Sequence, residues 1–158
     1  MKIDLSNLKD MGSRKIIKKE IELPDFNFRH QEIETPFPFQ LNLDIYSTRD
    51  SFILTGDLSG ELVLTCSRCL EKFNQDIDIK LEEEILKSEI EDPDHFDLTD
   101  IFIENILLAI PIKPICSEDC KGLCPVCGQN LNEDECDCDQ EIIDPRLAKL
   151  REFFDEDD

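Results

Sequence analysis

Hydrophobic and polar residues alternate along the middle of the chain, and this period-two pattern predicts half-buried β-strands. Turn signals near residues 48–50 and at Ser59-Gly60 divide the pattern into successive strands. The alternating apolar residues of the four predicted strands are Phe37, Phe39, Leu41, Leu43 and Ile45, then Phe52, Leu54 and Leu58, then Leu62, Leu64 and Cys66, and finally Phe73, Ile77, Ile79 and Leu81. The segment from Cys66 to Cys69 should therefore form the tip of the hairpin between the last two strands.

Helical spacing replaces the alternation after a polar, acidic loop predicted at residues 89–97. Apolar residues recur at Ile101, Phe102, Ile106 and Ile110, after Asp97 or Thr99 as a possible N-cap and before Pro111 as a helix breaker. A second, short helix is expected near the C-terminus, where Asp144-Pro145 offers an N-cap followed by proline and Leu147, Leu150 and Phe154 form an apolar stripe.

These elements predict an α+β fold, with a mainly antiparallel β-sheet domain, a covering helix and a C-terminal zinc-knuckle module. We expect residues 1–115 to hold the N-terminal segment and the β-rich domain. Residues 116–158 should form the cysteine-rich metal-binding module with its short helix.

The charge of the chain limits its possible partners, because the formal net charge is −21. Acidic residues are concentrated in residues 82–104 and 133–158, whereas six of the first 19 residues are Lys or Arg. Such runs are compatible with a solvated surface, and also with attraction to a basic partner, since an acidic protein is repelled by phosphate unless a local cationic patch compensates. The first residues lack the apolar region of a secretory signal, and no apolar run approaches a membrane span, so we expect a cytoplasmic protein without membrane contact.

Eight cysteines give the chain its candidate chemistry. Disulfides would need an oxidising compartment, and a redox switch at Cys66-x2-Cys69 would normally lie in a parallel βαβ unit, which is missing from the pattern. An iron–sulfur cluster uses the same four thiolates as zinc and stays open as an alternative. Structural zinc is favoured, because eight thiolates complete two tetrahedral sites, and we therefore expect two zinc ions.

The spacing of the cysteines indicates which of them share an ion. The Cys-x2-Cys unit before Gly128 can place two thiolates on one ion, and eight further residues allow the chain to turn back to the next pair. One site is therefore predicted to contain Cys124, Cys127, Cys136 and Cys138, and by subtraction the other contains Cys66, Cys69, Cys116 and Cys120. An exchange of Cys120 for Cys124 is left open by the spacing.

Catalytic motifs are sparse in this sequence. Its two histidines, His30 and His95, do not lie beside a candidate nucleophile, and there is neither a glycine-rich phosphate loop nor an HExxH helix. Two four-thiolate sites leave no open coordination position for a substrate. We expect a protein that is not an enzyme and has no small-molecule substrate.

Several of these segments, in this order, resemble the bacterial YceD family. The similarity covers most of the chain from about residue 37 onward and is carried by the segments at residues 66–73, 97–100, 106–116, 120–131 and 144–150. The resemblance implies a large ribosomal RNA subunit accumulation protein that acts in 23S ribosomal RNA maturation. The cysteine-rich tail is similar to the version found in Gram-positive and related bacteria, whereas some members lack it.

Two mechanisms follow from this resemblance together with the charge. In the first, a non-catalytic factor contacts the pre-ribosomal large subunit or its rRNA through cations near the metal knuckles, namely Arg68, Lys72, Lys113 and Lys121. In the second, an acidic chaperone or adaptor holds a basic ribosomal protein until it reaches the nascent subunit. A redox or nuclease enzyme is a remote third alternative.

Overall fold

The computed structural model describes residues 1–8, 10–29 and 31–138. It divides into two compact units, the first comprising Met1–Cys66 and Glu71–Cys116, the second Ser67–Leu70 and the residues from Ser117 onward. The elements in chain order are β1 (Lys2–Ile3), β2 (Arg14–Ile21), β3 (Phe26–Phe28), β4 (Gln31–Ile33), β5 (Phe39–Ser47), β6 (Ser51–Thr65), β7 (Lys72–Leu86), β8 (Phe96–Asp97) and α1 (Thr99–Ala109).

A four-stranded antiparallel sheet in the order β2-β5-β6-β7 is the centre of the first unit. Two smaller antiparallel pairs, β1 with β8 and β3 with β4, complete its strands within the described residues. The hairpin of β6 and β7 is long, because its pairing runs from Ser51 opposite Leu86 to Thr65 opposite Lys72. Its closed end carries the segment Ser67–Leu70.

One face of the sheet forms the hydrophobic core. Alternate residues of β5 are fully buried, as the period-two pattern requires, and the helix α1 buries Phe102 and Ile106 in the same cluster. The helix packs beside β7, where Asn105 Nδ2 donates a hydrogen bond of 2.8 Å to Glu83 Oε1. Across the described part of the chain, no helix has the length and apolarity that a membrane crossing requires.

The structure agrees with the sequence in its class, since it is mostly antiparallel sheet with one described helix and a cysteine-rich C-terminal region. The sequence predicted a second and a third strand separated by a turn at Ser59-Gly60. This prediction is wrong, because the single strand β6 runs continuously through these two residues. At Gly60 a Cβ atom would lie 2.4 Å from Cδ1 of the buried Phe39 ring, so this glycine makes room for a side chain instead of turning the chain.

Other boundaries also differ from the sequence-based expectation. Residues 89–97 are not one irregular loop, because they contain a 3₁₀ turn at Pro93–His95 and the strand β8. The residue at the helix N-cap is Leu98, although Asp97 Oδ1 accepts a hydrogen bond of 3.0 Å from the backbone N–H of Thr99. The short helix expected after Asp144 lies outside the described residues.

Candidate metal centre

The cysteine sulfur atoms form two groups of four, and within each group the four Sγ atoms lie within 4.8 Å of one another. In a tetrahedral site with Zn–S bonds of about 2.3 Å, neighbouring sulfur atoms are about 3.8 Å apart, so both groups are compatible with a four-thiolate ion. The first group is Cys66, Cys69, Cys116 and Cys120, and the second is Cys124, Cys127, Cys136 and Cys138. These are the two sets that the cysteine spacing predicts.

Both Cys-x2-Cys segments are closed by the same backbone hydrogen bond. The N–H of Cys66 donates to the carbonyl oxygen of Glu71 at 2.9 Å, and the N–H of Cys124 donates to the carbonyl oxygen of Gln129 at 2.8 Å. In each case the acceptor lies five residues after the donor. The two segments are therefore one local structure used twice, and each bends the chain so that both of its sulfur atoms turn to the same side.

The residue after the second cysteine has a left-handed backbone in both segments. Leu70 has a φ of 63° and Gly128 a φ of 78°. Glycine adopts this conformation without steric penalty, whereas for a leucine it costs about 1 kcal/mol or more. The glycine was recognised from the sequence, but nothing in the sequence marks Leu70 as its counterpart.

Hydrogen-bond donors surround the sulfur atoms and favour their thiolate form. The backbone N–H of Cys116 lies 3.4 Å from Cys66 Sγ, and that of Val126 lies 3.4 Å from Cys124 Sγ. Asn132 Nδ2 lies 3.5 Å from Cys120 Sγ. Donors of this kind hold the ligands of a metal site in orientation. Asn132 was interpreted from the sequence only as part of a turn, and its contact with a cysteine carries no sequence signal.

The thiols of the second group differ in acidity. Backbone N–H groups of Cys127 and Val126 lower the pKa of the Cys124 thiol to about 6. The neighbouring Cys127 side chain and desolvation raise the pKa of Cys138 to about 12. Four thiolates this close together repel one another, so protons must occupy some of them unless a cation compensates the charge. The donor set is thus suited to a divalent ion, which binds deprotonated cysteines.

The four cations predicted to contact RNA have different surroundings. Arg68 Nη1 donates hydrogen bonds to the carbonyl oxygens of Cys120 at 2.9 Å and Glu118 at 3.2 Å, within the second unit. Lys72 forms an ion pair with Glu34 in the first unit. Lys113 and Lys121 are exposed, and their ammonium groups have no ion pair within the described residues. Contact of these side chains with RNA stays a prediction.

Histidine chemistry has little support in the described residues. His95 is exposed, and its Nδ1 lies 3.2 Å from Asp92 Oδ2 in the 3₁₀ turn. His30 lies outside the described residues.

Comparison with known proteins extends this picture beyond the metal geometry. Residues 80–154 match the family described as Large ribosomal RNA subunit accumulation protein YceD. The uncharacterized protein YlbN of Bacillus subtilis is 32% identical over 151 residues, which cover 87% of this chain and 87% of that protein. No solved structure matches the chain significantly.

Two further relatives are longer than this chain. An uncharacterized protein of Mycobacterium bovis is 32% identical over 127 residues, and the chain spans 61% of its length. The chloroplastic large ribosomal RNA subunit accumulation protein YCED homolog 1 of Arabidopsis thaliana is 26% identical over 157 residues, and the chain spans 49% of its length. Because the Bacillus relative matches along most of both chains and the family match covers the cysteine-rich region, this chain belongs to the YceD family.

Proposed function

We propose that this protein is a non-catalytic, cytoplasmic factor that supports the accumulation of the large ribosomal subunit through 23S rRNA maturation. The observation that carries the proposal is membership of a family named for large ribosomal RNA subunit accumulation. In this proposal residues 1–115 provide the β-rich body, residues 116–158 form the metal module, and the partner is the pre-ribosomal large subunit.

Zinc has a structural role in this proposal. Each group of four sulfur atoms would hold one ion, and the ion would supply the positive charge that lets four neighbouring cysteines stay deprotonated. A four-thiolate site has no open position for water or substrate, which supports a role in folding and not in catalysis.

Deletion of the gene, followed by measurement of the 23S to 16S rRNA ratio and of free large subunits on sucrose gradients, tests the proposed role. We expect the deletion strain to have a lower 23S to 16S rRNA ratio and an excess of large-subunit precursors. Expression of the parent protein should correct both defects. A deletion strain with an unchanged rRNA ratio and unchanged subunit profile would contradict the function.

A basic ribosomal protein is the second candidate partner, and the contacts of two predicted RNA-binding residues favour it. The Arg68 guanidinium is bonded to two carbonyl oxygens and the Lys72 ammonium to a carboxylate, so both would have to give up these contacts to reach phosphate. The net charge of −21 adds long-range repulsion from RNA and attraction to a cationic protein.

Salt-dependent binding separates these two partners. If rRNA binds through the four predicted cations, their joint replacement by alanine should weaken binding and reduce the slope of log affinity against log salt by somewhat under one unit for each phosphate that is no longer bound. If the partner is a basic protein, the same replacement should leave its binding intact. Tight binding of the protein to protein-free 23S fragments at physiological salt would contradict the preference for a basic protein over rRNA.

A further inference from the structure

The sheet has a second face that is open to solvent. Residues opposite one another in register share a face, and the row Arg14, Tyr46, Ile53 and Glu84 crosses all four strands on the side away from the core. Tyr46 is 37% exposed and Ile53 38% exposed. Leu86 follows Glu84 on the same face and is 43% exposed. A small apolar patch therefore lies in the open on this face, beside the last strand.

Negative charge is concentrated on the β7 side of this face. Four exposed carboxylates of β7 point to it, interrupted only by Lys80: Asp76, Asp78, Glu82 and Glu84. Glu84 accepts a hydrogen bond from Ser51 Oγ at 2.6 Å. The other three carboxylates have no ion pair or side-chain hydrogen bond within the described residues. Lys80 is the one cation between Asp76 and Glu84 on this face, so negative charge is in excess there. Asp76 also lies directly opposite Glu61 of β6, a like-charge pair that a cation from a partner would relieve.

The β7 strand is also an edge of the sheet. It is the last strand in the order β2-β5-β6-β7, and all 15 of its residues pair only with β6 in the described part of the chain. Its outward N–H and C=O groups can pair with an added strand. Within the described residues, an edge without a strand partner, exposed carboxylates and the exposed side chain of Leu86 occur together at this one strand.

We propose that the β7 edge docks an extended segment rich in lysine and arginine, contributed by a partner protein, which adds a strand to the sheet. Side chains on one face of an added strand repeat about every 6.8 Å, the same interval as the carboxylates of β7, so alternate cations of the segment fall beside them. Leu86 lies at the end of the same row of side chains, so an apolar residue that follows these cations on the same face of the segment can pack on it. The identity of the partner as a ribosomal protein rests on the proposed function.

Two other occupants are less favourable. RNA would bring phosphate against the carboxylates of β7 and is repelled. A second copy could pair its lysine-rich β2 edge with β7, since the exposed residues of β2 include Arg14, Lys18 and Lys19. Both copies carry a net charge of −21, however, so their approach is opposed by long-range repulsion, whereas a basic foreign segment is attracted.

Fluorescence anisotropy with a defined probe tests the docking surface. The probe is a labelled peptide in which lysine and valine alternate over about ten residues, the length of a long strand. The β7 variant is Asp76→Asn/Asp78→Asn/Glu82→Gln. Its matched control is Glu22→Gln/Glu91→Gln/Glu104→Gln, which removes the same charge from exposed positions elsewhere in the first unit.

We expect the parent and the control variant to bind the peptide with similar affinity, and the β7 variant to bind about tenfold more weakly near 0.15 M salt. Successive backbone N–H groups of a strand point to opposite edges, so either the valines or the lysines of the peptide donate the ladder hydrogen bonds to β7. Of two further versions of the peptide, one N-methylated at the valines and one at the lysines, one should therefore also bind weakly. Equal weakening in the control variant would show that only net charge matters, and unchanged binding of both N-methylated peptides would exclude strand addition; either result overturns the proposal.

Two further measurements complete the test. Analytical ultracentrifugation of the protein alone should show a monomer, and a dimer that the β7 substitutions abolish would make the second copy the occupant and overturn the proposal. Complementation of the deletion strain distinguishes this failure from failure of the proposed function. A normal rRNA ratio in the deletion strain contradicts the function itself. If the deletion strain has an rRNA defect and the β7 variant corrects it fully, only the docking surface is contradicted.

Discussion

Removing two ligands from either cysteine group should remove one metal ion and leave the other. We consider Cys66→Ser/Cys69→Ser for the first group and Cys136→Ser/Cys138→Ser for the second. Each variant leaves the opposite group of four sulfur atoms unchanged. The parent protein should contain two zinc ions per chain and each variant one, measured by elemental analysis of purified protein.

The two losses should differ in their effect on stability. Forty-six residues lie between Cys69 and Cys116, whereas eight lie between Cys127 and Cys136. Because the entropy of loop closure grows as (3/2)RT times the logarithm of loop length, releasing the longer loop should lower the free energy of unfolding by about 1.5 kcal/mol more than releasing the shorter one. Urea unfolding followed by circular dichroism measures this difference.

A matched control and three kinds of outcome make the test decisive. Ser67→Ala changes the first Cys-x2-Cys segment without removing a ligand, and should keep both ions. A Cys66→Ser/Cys69→Ser protein that retains two ions, or loses both, would refute the grouping. Equal or reversed destabilisation of the two cysteine variants would refute the loop-length argument, and iron in place of zinc would refute the choice of metal.

Three further predictions concern the turns, the core and pH. Leu70→Gly should raise the free energy of unfolding by about 1 kcal/mol and Gly128→Ala should lower it by a similar amount, because both positions have a left-handed backbone; a destabilised Leu70→Gly protein in urea unfolding would contradict this account. Gly60→Ala should destabilise by about 1–3 kcal/mol through overlap with the Phe39 ring, and the loss should be smaller in a Phe39→Leu background, whereas strictly additive losses would exclude the steric cause. The pKa of the metal-free Cys124 thiol is lowered from 9.0 to about 6, so its thiolate is favoured above about pH 6 and is protonated below it. Bound zinc would keep the thiolate deprotonated to still lower pH, so zinc release to a chromogenic chelator should increase as pH falls below about 6, and pH-independent release would argue against thiolate ligands.

The sequence predicted those strands that bury one whole face. Residues of β5 alternate between buried and exposed positions without interruption, so the hydrophobic pattern identifies this strand directly. The pattern fails at β2, where only Ile21 is buried and the sequence Arg-Lys-Ile-Ile-Lys-Lys-Glu-Ile shows no alternation. An edge strand rich in lysine is stabilised by pairing with its neighbour and not by its own burial, so its sequence resembles a polar segment.

Glycine explains the other main error. In β6 the sequence Ser-Gly was interpreted as a turn, because glycine commonly supplies the backbone freedom that turns need. Gly60 instead accommodates a ring from the neighbouring strand, and such a contact depends on which residue lies opposite. For the candidate site, the local spacing predicted the group of Cys124, Cys127, Cys136 and Cys138, and the other group followed by subtraction. The sulfur atoms of both groups lie close together in the structure, whereas their binding of a metal stays a prediction. The pairing of Lys72 with Glu34 joins residues 38 positions apart, and no local pattern reveals it.

Because the two cysteine groups have different loop lengths, their ligands become complete at different times during protein synthesis. Ribosomes add roughly 5–20 residues per second, so the 46 residues after Cys69 delay the arrival of Cys116 by about 2–10 s. During this interval, Cys66 and Cys69 have only half of a coordination shell. The second group is complete within 15 consecutive residues, from Cys124 to Cys138, and can take up its ion almost as soon as it is made. Cys120 is made four residues before Cys124, so it would reach an ion held by Cys66 and Cys69 roughly 0.2–0.8 s earlier, and the order of synthesis favours the first group as the structure has it.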